Sequence, residues 1–210
     1  VLAVESKSGT SNGQYNITVN KLATTSRQEG IFDSSTIPLV TQDGQLTFKA
    51  GEKEFTVDVK AGDTLQNIRK RINNHGDNFG LSANIVNIAD GSAKFVMDSG
   101  VSGDGKDLTI SGKAADGKAR LVIDSGVSGD GKDLVITGST TELQDKFTAK
   151  LAETQQASSA EILVDGNVLK SDTNVFDDVI QDLKLTVLRV SDTDSNGDLK
   201  SNKVDITPDK

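Results

Sequence analysis

Residues 13–21 read Gly13-Gln14-Tyr15-Asn16-Ile17-Thr18-Val19-Asn20-Lys21, and their pattern decides how the chain begins to fold. Successive side chains of an extended strand point to opposite faces, so Tyr15, Ile17 and Val19 share one face and the polar residues share the other. This alternation predicts a half-buried strand. The preceding Asn12-Gly13 is a turn signal.

Further along the chain, residues 45–49 and 54–59 show the same alternation. The intervening Ala50-Gly51-Glu52-Lys53 predicts a hairpin loop between them. Other short apolar runs also indicate strands, at 83–88, 162–164, 185–190 and 204–206.

Three segments have helical periodicity instead. Their apolar stripes are Leu65, Ile68 and Ile72; Leu143, Phe147 and Leu151; and Val175, Phe176, Val179, Ile180 and Leu183. We expect the first helix to use Asp63 as its N-cap with Gln66 three residues later, and to leave through Gly76. The second helix should span 141–155, and the third should follow Asn174.

The middle of the chain contains an internal repeat. Residues 94–112 read KFVMDSGVSGDGKDLTISG and residues 120–138 read RLVIDSGVSGDGKDLVITG, so the copies are 120 − 94 = 26 residues apart. Each copy reads strand, Gly/Asp-rich turn, strand, which predicts one β-hairpin. Because a solenoid needs about three repeats for stability, we expect a duplicated hairpin that extends one sheet.

The composition excludes several classes of protein. The chain carries 23 Lys+Arg against 31 Asp+Glu, a net charge of −8, with 4% aromatic residues and no Trp. It therefore lacks the basic faces and stacking platforms that nucleic acids require, and it is a poor ligand for anionic membranes. The absence of Cys excludes disulfides, thiolate metal sites and cysteine nucleophiles.

Residues 192–198 resemble the start of an EF-hand calcium loop. Asp192, Asp194 and Asn196 stand at ligand spacing, and a glycine occupies the position of the sharp turn. The twelfth position is Lys203, where a bidentate Glu is required, and the flanking segments are strand-like. We interpret the segment as a polar hairpin loop and assign no metal ligand to it.

The Gly-rich segments 103–108 and 129–134 are similar to the calcium-binding nonapeptide of β-rolls. Ser replaces the first Gly in both copies, and a 26-residue spacing does not allow stacking every nine residues. We interpret both segments as turns in which Gly adopts a positive φ and Asp bonds its own backbone. Asp follows Lys106 and Lys132, so neither segment ends as a phosphate loop does.

The single histidine, His75, falls at the end of the first predicted helix, where it is expected to interact with terminal carbonyls. Arg69-Lys70-Arg71 reads as a solvated helix face. No carboxylate pair sits in an apolar setting that would raise its pKa. The sequence thus predicts that the protein is not an enzyme and has no catalytic, cofactor-binding or metal site residues.

Three segments together resemble the flagellar filament-capping family, also called the hook-associated protein 2 family. Residues 13–23, GQYNITVNKLA, match the G-x-Y-x-I-x-V-x-x-L-A strand that opens its head. Residues 44–87 are similar to its "flagellin IN" element. Residues 160–187 resemble its closing element, with Ile162 in place of a Phe, Asp182 in place of a Gly and Lys184 in place of a Thr. The segments occur in the family's order and cover most of the chain.

The resemblance implies a mainly β fold with a few short helices (α+β), in which two β-rich domains are present and one is inserted in the other. The inner head domain would comprise residues 1–40 plus 157–210. The outer would comprise residues 41–156 and contain the duplicated hairpin (94–112, 120–138). We expect the chain to be a head fragment, lacking the terminal helical legs that form coiled coils in this family.

The resemblance also implies a function. The family caps the bacterial flagellar filament: it oligomerises as a ring at the distal, extracellular tip through its legs, and promotes folding and insertion of exported flagellin. Expected partners are other copies of itself, flagellin and the hook-filament junction proteins. Some members are implicated in adhesion, which adds host surface glycans. No cofactor, nucleic acid or membrane is implied.

One alternative from another class remains open, an extracellular calcium-dependent adhesion module, suggested by the Asp/Gly loops. A calcium titration separates the two hypotheses. The chain alone is expected to be monomeric, because stable interfaces bury about 1,200–2,000 Å² around large anchors such as Trp and Tyr. This chain has no Trp and one Tyr.

Overall fold

The computed structural model describes residues 1–7, 9, 12–88 and 118–207, together with the backbone of two short strands at 95–96 and 109–110. The fold is mainly β with short helices, as the sequence predicts. Two separate hydrophobic clusters form its cores.

The strands in chain order are β1 Leu2–Ser6, β2 Gly13–Lys21, β3 Thr25–Phe32, β4 Gly44–Ala50, β5 Lys53–Val59, β6 Ser82–Asn87, β7 Phe95–Val96, β8 Thr109–Ile110, β9 Ala119–Ser128, β10 Leu134–Gly138, β11 Leu151–Gln155, β12 Ala160–Val164, β13 Asn167–Ser171, β14 Val175–Asp177, β15 Leu183–Val187 and β16 Asn202–Ile206. The helices are α1 Leu65–Asn73 and α2 Thr141–Lys146, and a short 3-10 turn spans Thr148–Lys150.

The smaller core lies between two sheets, with strand orders β1-β15-β14 and β13-β12-β2-β16. The predicted strand at residues 13–21 is confirmed, and its Ile17 and Val19 are fully buried. Phe176 and Leu185 pack on them from the first sheet. This core therefore combines strands from both ends of the chain.

The larger core lies between sheets of order β11-β3-β9-β6 and β10-β4-β5, with α1 and α2 packed against it. The predicted hairpin of β4 and β5 is confirmed, and it turns at Gly51, whose φ of 64° an L side chain rarely adopts. Phe48 and Phe55 stack at a centroid distance of 5.3 Å.

A two-stranded antiparallel ribbon joins the two cores. β2 pairs with β12 on the smaller core, and β3 pairs with β11 on the larger. Between these pairs the N–H of Thr24 donates to the carbonyl of Ser158 (3.0 Å), and the N–H of Ser158 donates to the carbonyl of Thr24 (3.1 Å). We call this segment the neck.

The core membership differs from the expected boundary at residue 40. β3 pairs with β9 and β11, and both Phe32 and Val40 lie in the larger cluster. The division into two domains stays a prediction. The positions of the two cores favour placing the boundaries at the neck, next to residues 24 and 158.

Helix α1 carries the predicted stripe of Leu65, Ile68 and Ile72, all fully buried. The predicted caps were wrong. Thr64 is the N-cap and forms a capping box with Asn67, and the helix ends at Asn74 without a left-handed residue. None of the helices that the structure describes is long and apolar enough to cross a membrane.

The helix predicted for 141–155 was wrong beyond its first turns. α2 ends at Lys146, and Phe147 turns into the larger core, 5.8 Å from Phe32 between ring centroids. The chain then pairs with β3 as strand β11. Edge pairing in the sheet thus outweighs helical periodicity here, as tertiary context commonly does.

The helix predicted after Asn174 was also wrong. Val175–Asp177 forms β14, paired with β15. The Asn174 side chain accepts a hydrogen bond from the N–H of Ala23 (2.7 Å) instead of capping a helix. Asp178 and Asp182 adopt positive φ values of 59° and 64°, which a right-handed helix does not permit.

The second repeat copy is not the predicted hairpin. Its first half is β9, between β3 and β6, and its second half is β10, which pairs with β4 in the other sheet. In the first copy, β7 and β8 pair antiparallel with each other, and the rest of that copy lies outside the described residues. Partners elsewhere in the chain therefore decide the pairing.

Candidate functional site

In the loop that resembles a calcium site, the carboxylates of Asp192 and Asp194 are bonded to nearby protein groups. Asp194 Oδ1 accepts hydrogen bonds from the N–H groups of Asn196 (2.8 Å) and Asp198 (3.0 Å). Asp192 Oδ1 pairs with Arg189 Nη1 at 2.6 Å, which lowers the pKa of that carboxyl. The predicted polar loop is thus held by its own backbone and one cation. Within the described residues no group of three or more His, Asp and Glu side chains could hold a metal ion.

The Gly-rich segment of the second copy helps to build the neck. Gly129 and Gly131 have positive φ values, as predicted. The prediction that Asp bonds its own backbone was wrong, because Asp130 Oδ1 accepts from the N–H of Ser159 (2.9 Å) and Asp133 Oδ1 accepts from the N–H of Ala157 (2.8 Å). The equivalent segment of the first copy, 103–108, lies outside the described residues.

Lys132, the cation of that segment, reaches Asp172 rather than an open anion site. Its Nζ lies 2.7 Å from Asp172 Oδ2, and this bond lowers the pKa of Asp172. A Gly129 side chain would clash with the same carboxylate, 2.8 Å from the position of its Cβ. The segment therefore connects the larger core to the loop after β13.

His75 lies just beyond α1. Its ring packs against Phe55 at 5.4 Å, and its Nδ1 accepts from the N–H of Asp77 at 3.1 Å. Its own N–H donates to the carbonyl of Ile72. The expected contact with a terminal carbonyl is therefore made by the backbone, whereas the imidazole caps the following turn.

The interpretation of Arg69-Lys70-Arg71 as a solvated face was wrong for Arg71. Its guanidinium binds both carboxylate oxygens of Asp63 and the carbonyl of Asp58. Burial raises the pKa of Asp63, but the hydrogen bonds from Arg71 and from the N–H of Lys60 outweigh it, so the pKa lies below 3.8. This ion pair links α1 to the end of the β4–β5 hairpin.

Sequence reasoning missed one surface feature. β1 was not predicted as a strand, although Leu2 and Val4 alternate with smaller or charged neighbours. Together with β16 it lines an open groove of about 650 Å³. The alternation of Leu2, Val4 and Ser6 could have indicated the strand, but nothing local connects it with residues 202–206.

Three comparisons with known proteins agree with this architecture. The flagellin hook IN motif matches residues 45–101, which include β4 from its second residue onward, β5, α1, β6 and β7. Flagellar hook-associated protein 2 of Aeromonas caviae is 67% identical over all 210 residues. The A-type flagellar hook-associated protein 2 of Pseudomonas aeruginosa is 33% identical over 178 residues, 83% of this chain.

Solved structures share the fold. The D2-D3 domains of the flagellar cap protein FliD from Escherichia coli align with a TM-score of 0.73 and 20% identity, covering 99% of this chain and 95% of theirs. FliD (HAP2) from Pseudomonas aeruginosa PAO1 aligns with a TM-score of 0.72 and 24% identity, covering 100% and 86%.

The fold is therefore that of the D2-D3 domains of a flagellar cap protein. The chain belongs to the flagellar hook-associated protein 2 family, the family of filament-capping proteins that the three sequence elements resemble. It spans 40% of the length of the Aeromonas caviae protein and 34% of the Pseudomonas aeruginosa protein. No relative named here is described as an adhesion module, so that alternative has no support.

Proposed function

We propose that this chain is the head of a cap that oligomerises at the distal tip of the bacterial flagellar filament and promotes folding and insertion of exported flagellin. The observation that carries the proposal is the 67% identity to a flagellar hook-associated protein 2 across all 210 residues, including both cores and the neck. The tip location places the head outside the cell. Other copies, flagellin and the hook-filament junction proteins are its proposed partners, with host surface glycans as a further one.

We propose further that the head works without covalent chemistry and is not an enzyme. A general acid at neutral pH needs a raised carboxyl pKa, whereas the carboxyls with resolved shifts among the described residues are all lowered. For Asp130, Glu142 and Asp172 the main cause is a hydrogen bond, from the N–H of Ser159, the hydroxyl of Thr41 and the ammonium of Lys132 respectively. Their carboxylates hold structure together.

A chimera tests the proposal. The corresponding 210 residues of the Aeromonas caviae relative are replaced by this chain, and the chimera is expressed in a strain that lacks its own hook-associated protein 2. We expect filaments and swimming to be restored. Failure to restore them, while the unaltered relative succeeds at equal expression, would contradict the proposal.

A second chimera separates location from assembly. Because Thr24 and Ser158 are hydrogen-bonded neighbours, residues 25–157 can be replaced by a three-residue Gly-Ser linker without stretching the smaller core. The shortened protein should still reach the filament tip, seen by immunogold labelling, while filaments assemble poorly. Wild-type swimming would show that the larger core is not part of the working surface.

A further inference from the structure

The groove between β1 and β16 is a gap between the two sheets that enclose the smaller core, and we call this gap the seam. The sheets β1-β15-β14 and β13-β12-β2-β16 enclose that core from two sides. At β13 and β14 the wall is continuous, because a short loop joins the strands and Ser171 Oγ donates to the carbonyl of Val175 (2.7 Å). At β1 and β16 the two sheet edges flank the groove.

The β1 edge presents to the seam backbone groups that have no partner among the described residues. The N–H of Leu188 donates to the carbonyl of Val1, and the N–H of Lys7 donates to the carbonyl of Asp182, both at 2.8 Å. Bonded and non-bonded pairs alternate along an antiparallel ladder. The N–H and C=O groups of the even-numbered residues therefore point away from β15, namely those of Leu2, Val4 and Ser6.

The β16 edge does the same from the opposite side. The backbone N–H and C=O of Asn16 point toward β12. The N–H of Asp165 donates to the Asn16 carbonyl (2.9 Å), and the Asn16 N–H donates to Asp165 Oδ1 (2.8 Å). The partner of Asn16 on the other side, Lys203, therefore forms a non-bonded pair with it. The N–H and C=O groups of Lys203 and Asp205 thus face the seam.

The side chains at the seam belong to the core face of each strand. Val4 lies opposite Leu185, which is fully buried, yet Val4 itself is 40% exposed. On the other edge Val204 lies opposite Tyr15 and is only partly buried against the smaller core. These apolar side chains remain uncovered because no described strand lies beside them.

We propose that the seam takes an extended peptide segment, inserted as an additional β-strand that pairs with β1 and β16 at once. Exposed sheet edges bind peptides through main-chain hydrogen bonds, and alternate side chains provide the selectivity. The segment would place apolar residues toward Val4 and Val204, and polar residues toward solvent. Its insertion would complete the wall around the smaller core.

The occupant must have both of its own edges free. Every strand in the described part of the chain already pairs on at least one edge, so the described part of a folded second copy offers no suitable strand. An unfolded polypeptide does. We assign the seam to an extended segment of exported flagellin before it folds, an assignment of source that rests on the proposed function.

The probe is an eight-residue peptide in which threonine and valine alternate between terminal lysines. At saturating peptide, amide exchange measured by NMR should slow at least about tenfold at Leu2, Val4, Ser6, Lys203 and Asp205, as expected when exposed amides become hydrogen-bonded. Exchange at the amides of Ala3 and Glu5, already paired with β15, should not change. Unchanged exchange at all seam amides would overturn the proposal.

Two N-methylated peptides distinguish insertion from addition to one edge. Each is methylated on alternate residues, so that each keeps a different single pairing edge. Insertion requires both edges, so both peptides should bind at least about tenfold more weakly, a loss of about 1.4 kcal/mol. Full affinity of either peptide would show simple edge addition and contradict insertion.

A matched pair of variants locates the site. Val4→Pro removes an N–H that faces the seam and leaves the hydrogen bonds to β15 intact. An edge strand tolerates Pro at such a position, because the N–H has no partner in the sheet. Val168→Pro makes the same change on edge strand β13. When the alternation of bonded and non-bonded pairs is followed from Asn16 across β12, the N–H of Val168 points away from the sheet. Val4→Pro should abolish peptide binding and Val168→Pro should not. If Val4→Pro does not fold, Asp205→Pro tests the other edge.

Two outcomes would replace flagellin as the occupant. Protection of the seam amides that rises with protein concentration, without peptide, would indicate a second copy. Protection in the full-length protein alone would indicate another segment of the same polypeptide. Either can occur while the chimera still restores swimming, so failure of this assignment is distinguishable from failure of the proposed function.

Discussion

The Arg71 guanidinium donates to both carboxylate oxygens of Asp63, at 2.5 and 3.3 Å. Asp63 precedes α1, and its carboxylate also accepts from the N–H of Lys60 (2.7 Å). Its side chain is only 12% exposed, so this ion pair is better shielded from water than most surface pairs. It fixes the helix to the hairpin that forms one wall of the larger core.

Arg71→Met should lower the free energy of unfolding by about 2 kcal/mol, because it leaves a nearly buried carboxylate without its charged donor. The matched control is Arg69→Met on the same helix, since Arg69 forms no ion pair among the described residues. The control should change stability by less than about 0.5 kcal/mol. Urea unfolding at pH 7 measures both. Equal effects would show that the pair contributes nothing specific.

The same pair predicts an acid-side dependence. The pKa of Asp63 is lowered in the folded protein, so its contribution to stability is fully present above its unfolded pKa of about 4. That contribution is lost as the pH falls from about 4 through the folded pKa. Arg71→Met should therefore flatten the loss of stability on that side. Parallel pH profiles for variant and wild type would contradict this explanation.

Gly30 lies where the 3-10 turn meets β3. A Cβ at this position would come 2.2 Å from the carbonyl oxygen of Lys150, a backbone atom that cannot move away alone. Gly30→Ala should cost about 1–3 kcal/mol, as overpacking does. Gly76→Ala is the control, because nothing lies within 4 Å of its Cβ. Denaturant midpoints of the two variants test this, and a stable Gly30→Ala would show that β11 can shift.

Removing one repeat unit should leave a cooperative fold. Deletion of residues 94–119 joins Ala93 to Arg120, so that Ala93 takes the place of Ala119 and the second copy supplies the rest of β9 and all of β10. β6 would then connect to β9 through a short loop containing Asp90-Gly91, a favourable hairpin sequence. Loss of the cooperative thermal transition would show that the extra unit is required for folding.

The reciprocal deletion of residues 113–138 should fold less well. It keeps the first copy, in which Phe95 would replace the fully buried Leu121 and Met97 would replace the fully buried Ile123. Phe95 would overpack its position, which costs about 1–3 kcal/mol, whereas Met97 is similar in volume to the Ile it replaces. The reciprocal deletion should therefore melt several degrees below the first. The opposite order would show that the core accepts the larger Phe side chain without strain.

Calcium should not raise the melting temperature. Asp194 and Asp192 already bind backbone N–H groups and Arg189, and Lys203 occupies the position of the bidentate ligand. A site loaded at 100 times its Kd would add about 2.7 kcal/mol, which is several degrees for a chain of this size. Thermal scans with millimolar calcium, against magnesium, test this. A rise of that size with calcium alone would sink the prediction.

Local patterns predicted the elements whose partners are near in sequence. The β4–β5 hairpin and the buried face of α1 follow from alternation and from the spacing of Leu65, Ile68 and Ile72. Leu143, Phe147 and Leu151 have helical spacing too, yet the chain leaves the helix because β3, more than a hundred residues earlier, pairs with β11. Periodicity alone carries no information about such a partner.

The repeat shows the same limit more sharply. Leu108 and Leu134 end identical eleven-residue segments, and only tertiary contacts place Leu134 beside Ala50. The seam could not be predicted from the sequence for a related reason. Its two edges are separated by nearly the whole chain, and the backbone groups that define it are the same in every residue.

The neck has a mechanical consequence. Two antiparallel passes of the chain meet at an isolated bridge between Thr24 and Ser158, and the strand pair on either side of the bridge contains a register shift. The Gly-rich segment of the second repeat copy reinforces this bridge, because Asp130 and Asp133 accept hydrogen bonds from the N–H groups of Ser159 and Ala157. A push or twist on the larger core is therefore transmitted to the smaller one through a cross-linked joint rather than through one continuous sheet.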